Sequence, residues 1–233
     1  MIRFLRAAVL ALMLVPSTGT AQDFDAGLAA YEAGDFATAL REWKPLAEQG
    51  NAVAQTNLGL MYANGQGVLQ NYAEATKWTL LAAAQGDSDA QFNIGLTYYH
   101  GQGVPKDDAE AVKWFRLAAE QDHAMAQFNL GFVYDKGLGV PQDDAEALKW
   151  YRLAAQQGIA VAQSHLGAMY YQGRGVPQDF GTAYMWFSLG ATNGNTNAAI
   201  VRDALGPELT PADLSEAQRR AQVCLASTYQ GCD

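Results

Sequence analysis

Residues 87–122 read DSDAQFNIGLTYYHGQGVPKDDAEAVKWFRLAAEQD, and residues 123–158 read HAMAQFNLGFVYDKGLGVPQDDAEALKWYRLAAQQG. Laid over one another without a gap, they share Ala-Gln near the start, then a Gly and a Tyr, a Gly-x-Gly-Val-Pro loop, an Asp-Asp-Ala-Glu-Ala run and a Trp. Two consecutive 36-residue copies are the mark of stacked supersecondary units rather than of one mixed core.

Outward from this pair the same ruler holds, since Trp43, Trp78, Trp114, Trp150 and Trp186 are separated by 35, 36, 36 and 36 residues. Four 36-residue units fill residues 51–194, at 51–86, 87–122, 123–158 and 159–194. Within a unit, Ala126, Leu130, Val133 and Tyr134 recur with the four-and-three spacing of one helical face. Gly137 suits the left-handed residue that ends a helix, and Pro141 cannot continue it. Asp143 with Glu146 reads as a capping box that starts a second helix, as do Asn71 with Glu74 and Asp107 with Glu110. That second helix is expected to set Ala145, Ala147, Trp150, Leu153, Ala154 and Ala155 against the first, with Gly131 and Ala147 permitting close approach and Trp150 and Tyr134 filling the gaps. An isolated helix pair cannot bury both faces, so it must stack. The expected fold is all-α, a right-handed α-solenoid whose first helices line a concave surface.

The ends read differently. Residues 22–50 form a helix pair with a short Gly34-Asp35 turn. Residues 195–233 contain a further first helix, a capping helix announced by Thr210, Pro211 and Asp213, and a tail with Cys224 and Cys232. Residues 1–21 carry Arg3 and Arg6, an apolar run from Ala7 to Val15, Pro16 and a small-residue exit at Ala21, the arrangement of a cleaved export signal. The apolar run is short of the roughly 18 residues a membrane span needs. A periplasmic or secreted location follows as the expectation, and with it a disulfide between Cys224 and Cys232, because such compartments are oxidising.

Without residues 1–21 the chain has 13 basic residues against 24 acidic ones, a net charge of −11. That balance repels phosphate backbones and anionic lipid, which speaks against nucleic acid and against membrane-surface binding.

The pattern Ala-Gln-x-x-Leu-Gly-x-x-Tyr-x-x-Gly-x-Gly-Val-Pro-x-Asp-x-x-x-Ala-x-x-Trp-x-x-x-Ala-Ala resembles the Sel-one-like repeat, a branch of the tetratricopeptide superfamily. The resemblance implies an exported adaptor or regulator that binds another protein or a peptide segment, with no chemistry of its own. Some secreted members carry a Cys pair in each repeat and are linked to penicillin binding or β-lactamase activity. No repeat of this chain contains Cys.

Motifs for chemistry are sparse. Ser-x-x-Lys, Gly-x-Ser-x-Gly and His-Glu-x-x-His are all absent from the sequence. The Gly-x-Gly-Val loops join helix to helix and precede acids, so they read as turns and not as phosphate cradles. His100, His123 and His165 lack metal-ligand spacing, and the Asp107-Asp108-Glu110 and Asp143-Asp144-Glu146 clusters read as helix starts; no metal and no cofactor is expected.

If first helices line the concavity, the inward positions are 3, 6, 10, 13 and 14 of each unit. In the later three units these give Phe92, Leu96, Tyr99, His100, Phe128, Phe132, Asp135, Lys136, Tyr171 and Gln172 as the partner-binding candidates, an aromatic run suited to a peptide segment. Packing of Phe92 and Phe128 between neighbouring first helices is the competing expectation. The alternative function is a cell-wall enzyme or peptidoglycan-binding protein, including a β-lactamase-like activity, with aromatics stacked on sugars.

Overall fold

The structure is a computed structural model that describes residues 23–232. Among them are twelve α-helices and no strand: α1 (Phe24–Glu32), α2 (Phe36–Glu48), α3 (Ala52–Asn64), α4 (Tyr72–Ala84), α5 (Ser88–His100), α6 (Asp108–Ala119), α7 (Ala124–Lys136), α8 (Asp144–Gln156), α9 (Ala160–Gln172), α10 (Phe180–Thr192), α11 (Thr196–Leu205) and α12 (Pro211–Ala226). A single 3₁₀ turn, Gly206–Glu208, precedes the last helix. Helices pack in successive pairs, α1 on α2 through α9 on α10, and each pair rests on the next, so the fold is an all-α solenoid. The export signal expected at residues 1–21 lies outside the described residues.

Helix starts and stops obey local rules. Asn51, Asp87 and Asn195 cap first helices with side-chain oxygens, and His123 does so with Nδ1, which accepts the Ala126 N–H at 3.1 Å. Its Nε2 lies 3.1 Å from Asp89, so the imidazole joins two units. First helices end at Gly65, Gly101, Gly137 and Gly173, all near φ 66–69°, where a missing Cβ removes the left-handed penalty.

The capping boxes form only by half. Asn71, Asp107 and Asp143 accept backbone N–H groups of the following helix, but their own N–H groups donate to the carbonyls of Tyr62, Tyr98 and Tyr134 at 2.9–3.1 Å. The acids three residues on are thereby freed. Glu74 and Glu110 meet Lys77 and Lys113, and Glu146 accepts the Trp150 indole N–H at 3.0 Å as well as Lys149.

Packing also corrects the expected partners of the small residues. The side chain lying across Gly131 is Tyr151, whose ring would come within 2.8 Å of an added Cβ. Phe115 and Phe187 lie likewise across Gly95 and Gly167. Trp150 instead joins Ala111, Val112, Phe115 and Leu130 of the preceding unit and the neighbouring first helix, so tryptophan binds one pair to the next. Ala145 is exposed, while Leu148 and Tyr151 are buried.

The recurring Ala-Gln has its own reason. Gln55, Gln91, Gln127 and Gln163 are buried, and each donates from Nε2 to the carbonyl of Ala47, Ala83, Ala119 or Ala155 in the preceding helix at 3.0–3.3 Å. Each Oε1 then accepts from Gln85, Gln121, Gln157 or Asn193 at the end of its own unit, at 2.8–2.9 Å. One amide thus ties three helices and leaves no orphan in the core, which a Leu of equal size could not do.

At the C-terminal end α12 packs on α10. Cys224 and Cys232 are bonded, and both sit in the core cluster with Met185, Trp186 and Leu189. Tyr229 reaches back so that its hydroxyl donates to Asn193 at 2.8 Å.

Candidate functional site

The face built by α5, α7, α9 and α11 carries the candidate residues, and its chemistry concentrates around His165. That imidazole stacks on Tyr151 with ring centres 4.9 Å apart, and Phe128 and Phe132 meet it edge to face with ring centres 5.6 and 6.5 Å away. Burial holds His165 below the usual histidine pKa, although the nearby Asp135 carboxylate acts in the opposite direction.

Asp135 is 5% exposed, an unusual place for a carboxylate. Lys136 lies 2.9 Å away on one side, Arg174 pairs with it from the loop after α9, and the Tyr151 hydroxyl stands 3.5 Å from it. Burial alone would raise the Asp135 pKa, but the hydrogen bonds and charges of Lys136 and Arg174 together hold it below the ordinary carboxylate value. Arg174 also pairs with Asp144 at the start of α8, with Nε 3.4 Å from that carboxylate. Asp144 is therefore not a purely solvated helix-start residue. Burial and the adjacent Asp135 push the Tyr151 hydroxyl far above the ordinary phenol range, so it stays neutral.

The candidate residues separate into two sets. Phe92 stacks on His123 at 4.6 Å, Phe128 lies 5.8 Å from Tyr151, and Phe132 packs on the core between α7 and α9; all three are half-buried between adjacent first helices. Leu96 and Tyr99 are also half-buried, with Tyr99 covered by Lys106. Asp135 is locked in its ion pairs. His100, Lys136, Tyr171 and Gln172 face solvent. Phe132, placed among the partner-binding candidates by its inward position, packs against the core, because the four-and-three stripe describes contacts to the second helix and not those between first helices.

Beside Tyr171 a cavity of about 330 Å³ opens between α9 and α11, lined by Ser164, His165, Ala168, Tyr171, Gln172, Phe187 and Val201. Sequence reading missed Arg174, although it stands where the other units have Gln66, Gln102 and Leu138. It also passed over the residue after the Trp of each 36-residue unit, which is Thr79, Phe115, Tyr151 or Phe187. No cluster of three or more His, Cys, Asp or Glu side chains is placed to hold a metal ion among the described residues. No helix there is long and apolar enough to cross a membrane.

A family model, the Sel1 repeat, matches residues 52–87, 88–123, 124–159 and 160–195, one residue out of step with a frame begun at the cap of each first helix. The chain belongs to the Sel1 repeat family. Among solved structures, a Sel1 repeat protein from Oxalobacter formigenes is similar at 38% identity and a TM-score of 0.75, over 79% of this chain and 76% of that one. The protective antigen c5321 of uropathogenic Escherichia coli, which displays the same repeat fold, is similar at 36% identity and a TM-score of 0.77; 85% of this chain matches 44% of that one. This Sel1 repeat protein thus spans less than half of c5321. The immunity protein Pa5087 of Pseudomonas aeruginosa, at 18% identity and a TM-score of 0.51, shares the fold. No curated protein sequence matches the chain. Sel1 repeat proteins generally mediate protein–protein interaction, and their fold is typically a non-catalytic scaffold.

Proposed function

We propose that this Sel1 repeat protein is an exported adaptor or regulator that binds a segment of another protein on the concave face formed by its first helices. The observation that supports this reading is the exposure of large apolar side chains along that face: Val53, Leu60, Met125, Tyr171 and Val201 are 36–49% exposed, and Tyr171 and Val201 flank the 330 Å³ cavity. Apolar side chains grouped around a concavity suit a peptide anchor. Phe92, Phe128 and Phe132 hold the first helices in register beneath, which keeps such a surface rigid. The leader-like residues 1–21 and the paired cysteines support export.

No observation favours the alternative of a cell-wall enzyme or glycan binder. Asp135, the acid beside His165, is committed to Arg174 and Lys136.

Co-purification from native periplasm tests the reading. The variant Tyr171→Ala with Val201→Ser should retain its melting temperature and lose its partner, since an aromatic anchor typically contributes about 2 kcal/mol or more, roughly thirtyfold in affinity. Capture of the same partner at undiminished yield would place binding on another surface. N-terminal sequencing of the mature protein is expected to begin at Gln22.

A further inference from the structure

Each unit carries a glycine where its first helix packs on its second, at Gly59, Gly95, Gly131 and Gly167, and in three units an aromatic ring lies across it. In the unit 51–86 that place falls to Thr79. The flanking positions shrink with it. Phe92 and Tyr99, whose rings stand 6.0 and 6.5 Å from that of Phe115, correspond there to Thr56 and Ala63.

The outcome is a cavity of about 200 Å³ between α3, α4 and α5, with Gly59, Ala63, Tyr72, Thr79, Asn93 and Leu96 among its walls. The Thr79 hydroxyl fills the space directly against Gly59 and donates to the Ala75 carbonyl at 2.8 Å, and so short a side chain leaves open the space further out, toward Ala63 and Leu96. The outer part of a ring's seat is open here, and Thr79 fills the inner part.

We propose that this cavity receives an aromatic side chain from a bound partner, beside Thr79 and in the outer part of the space that Phe115, Tyr151 and Phe187 fill in the other units. The proposal rests on the reading of the first-helix face as a binding surface and specifies what the partner must present. No charged residue lines the cavity, so an acidic or basic group would lose its hydration without a counter-charge. A saccharide needs many hydrogen bonds; the Thr76, Thr79 and Thr97 hydroxyls already donate to carbonyls of their own helices, which leaves the amides of Asn64, Asn93 and Gln102 as the polar groups of the walls. A planar neutral ring asks for no counter-charge and at most one hydrogen bond, which those amides can meet, and it regains the dispersion contacts that the small walls leave unmade.

The test is an amide NMR titration of the full chain with p-cresol, a soluble stand-in for a tyrosine side chain, and in parallel with N-acetylglucosamine. Saturable shifts around Gly59, Thr76 and Leu96 with p-cresol alone are expected. Thr79→Phe should melt no earlier than the natural protein and bind p-cresol at least tenfold more weakly. Ala63→Tyr, which fills the cavity from the opposite wall, should behave likewise and serves if Thr79→Phe does not fold. Absence of p-cresol binding, binding that survives whichever plug folds, or shifts at this cavity with N-acetylglucosamine but not with p-cresol would overturn the proposal. Its failure would leave the Tyr171 capture experiment untouched, because that experiment reads a separate cavity.

Discussion

Gly131 has no room for a side chain, since the fully buried ring of Tyr151 occupies the space a Cβ would enter and cannot swing away. Gly131→Leu should therefore cost about 1–3 kcal/mol through overpacking, read as an earlier thermal melt. Asp144→Ala is expected to cost less, because Asp135 keeps Arg174 paired when Asp144 is gone. An unchanged melt for Gly131→Leu would refute the contact. His165 offers a second residue-scale test. Its folded pKa is depressed by burial, so the unfolded chain binds the proton more readily, and the stability it contributes is full above about pH 6.5 and lost as pH falls. Urea unfolding at pH 7 and pH 5 should show a loss in the natural protein that is smaller in His165→Phe, with a limiting slope of about 1.4 kcal/mol per pH unit for one proton. Equal losses in the two proteins would assign the acid sensitivity to other groups.

At the scale of the element, a second helix such as α8 serves two neighbours with adjacent residues. Trp150 faces the preceding unit and Tyr151 faces α7 of its own, about 100° further round the helix. Trp150→Ala should remove the contact between pairs and cost about 3–5 kcal/mol. Because a solenoid is stabilised by nearest-neighbour interfaces, the same change should uncouple units 87–122 and 123–158, seen as a broader or two-step denaturant transition. A single sharp transition at the natural midpoint would show that Trp150 does not join the units. The helix ends themselves were legible from residues, because a cap or a left-handed glycine acts within four residues of chain.

Across the whole molecule the two ends differ in how they close the array. The buried-glutamine series stops where Ala199 takes the position of Gln163, and α12 covers α10 with its bonded Cys224–Cys232 loop instead. Closing so short a loop contributes about 2.5 kcal/mol in the chain-entropy model. Hydrogen exchange before and after reduction should quicken in 211–226 and leave α1–α7 unchanged, as expected where units feel only their neighbours. Uniform quickening along the chain would contradict that independence.

The sequence alone determined the period, the helix pairs, the glycine stops and the expected pairing of Cys224 with Cys232, since each depends on neighbours within one turn or on exact repetition. Only the tertiary structure decided which aromatics of the first helices are packing and which are surface. Phe128 and Phe132 are drawn inward by His165, more than 30 residues away, and Tyr171 has no such partner from α11. Asp135 reads as an exposed face residue until Arg174, 39 residues on, closes over it. The cavity at Thr79 is likewise silent in sequence, because a missing ring becomes a space only once the surrounding helices are held apart by their own contacts.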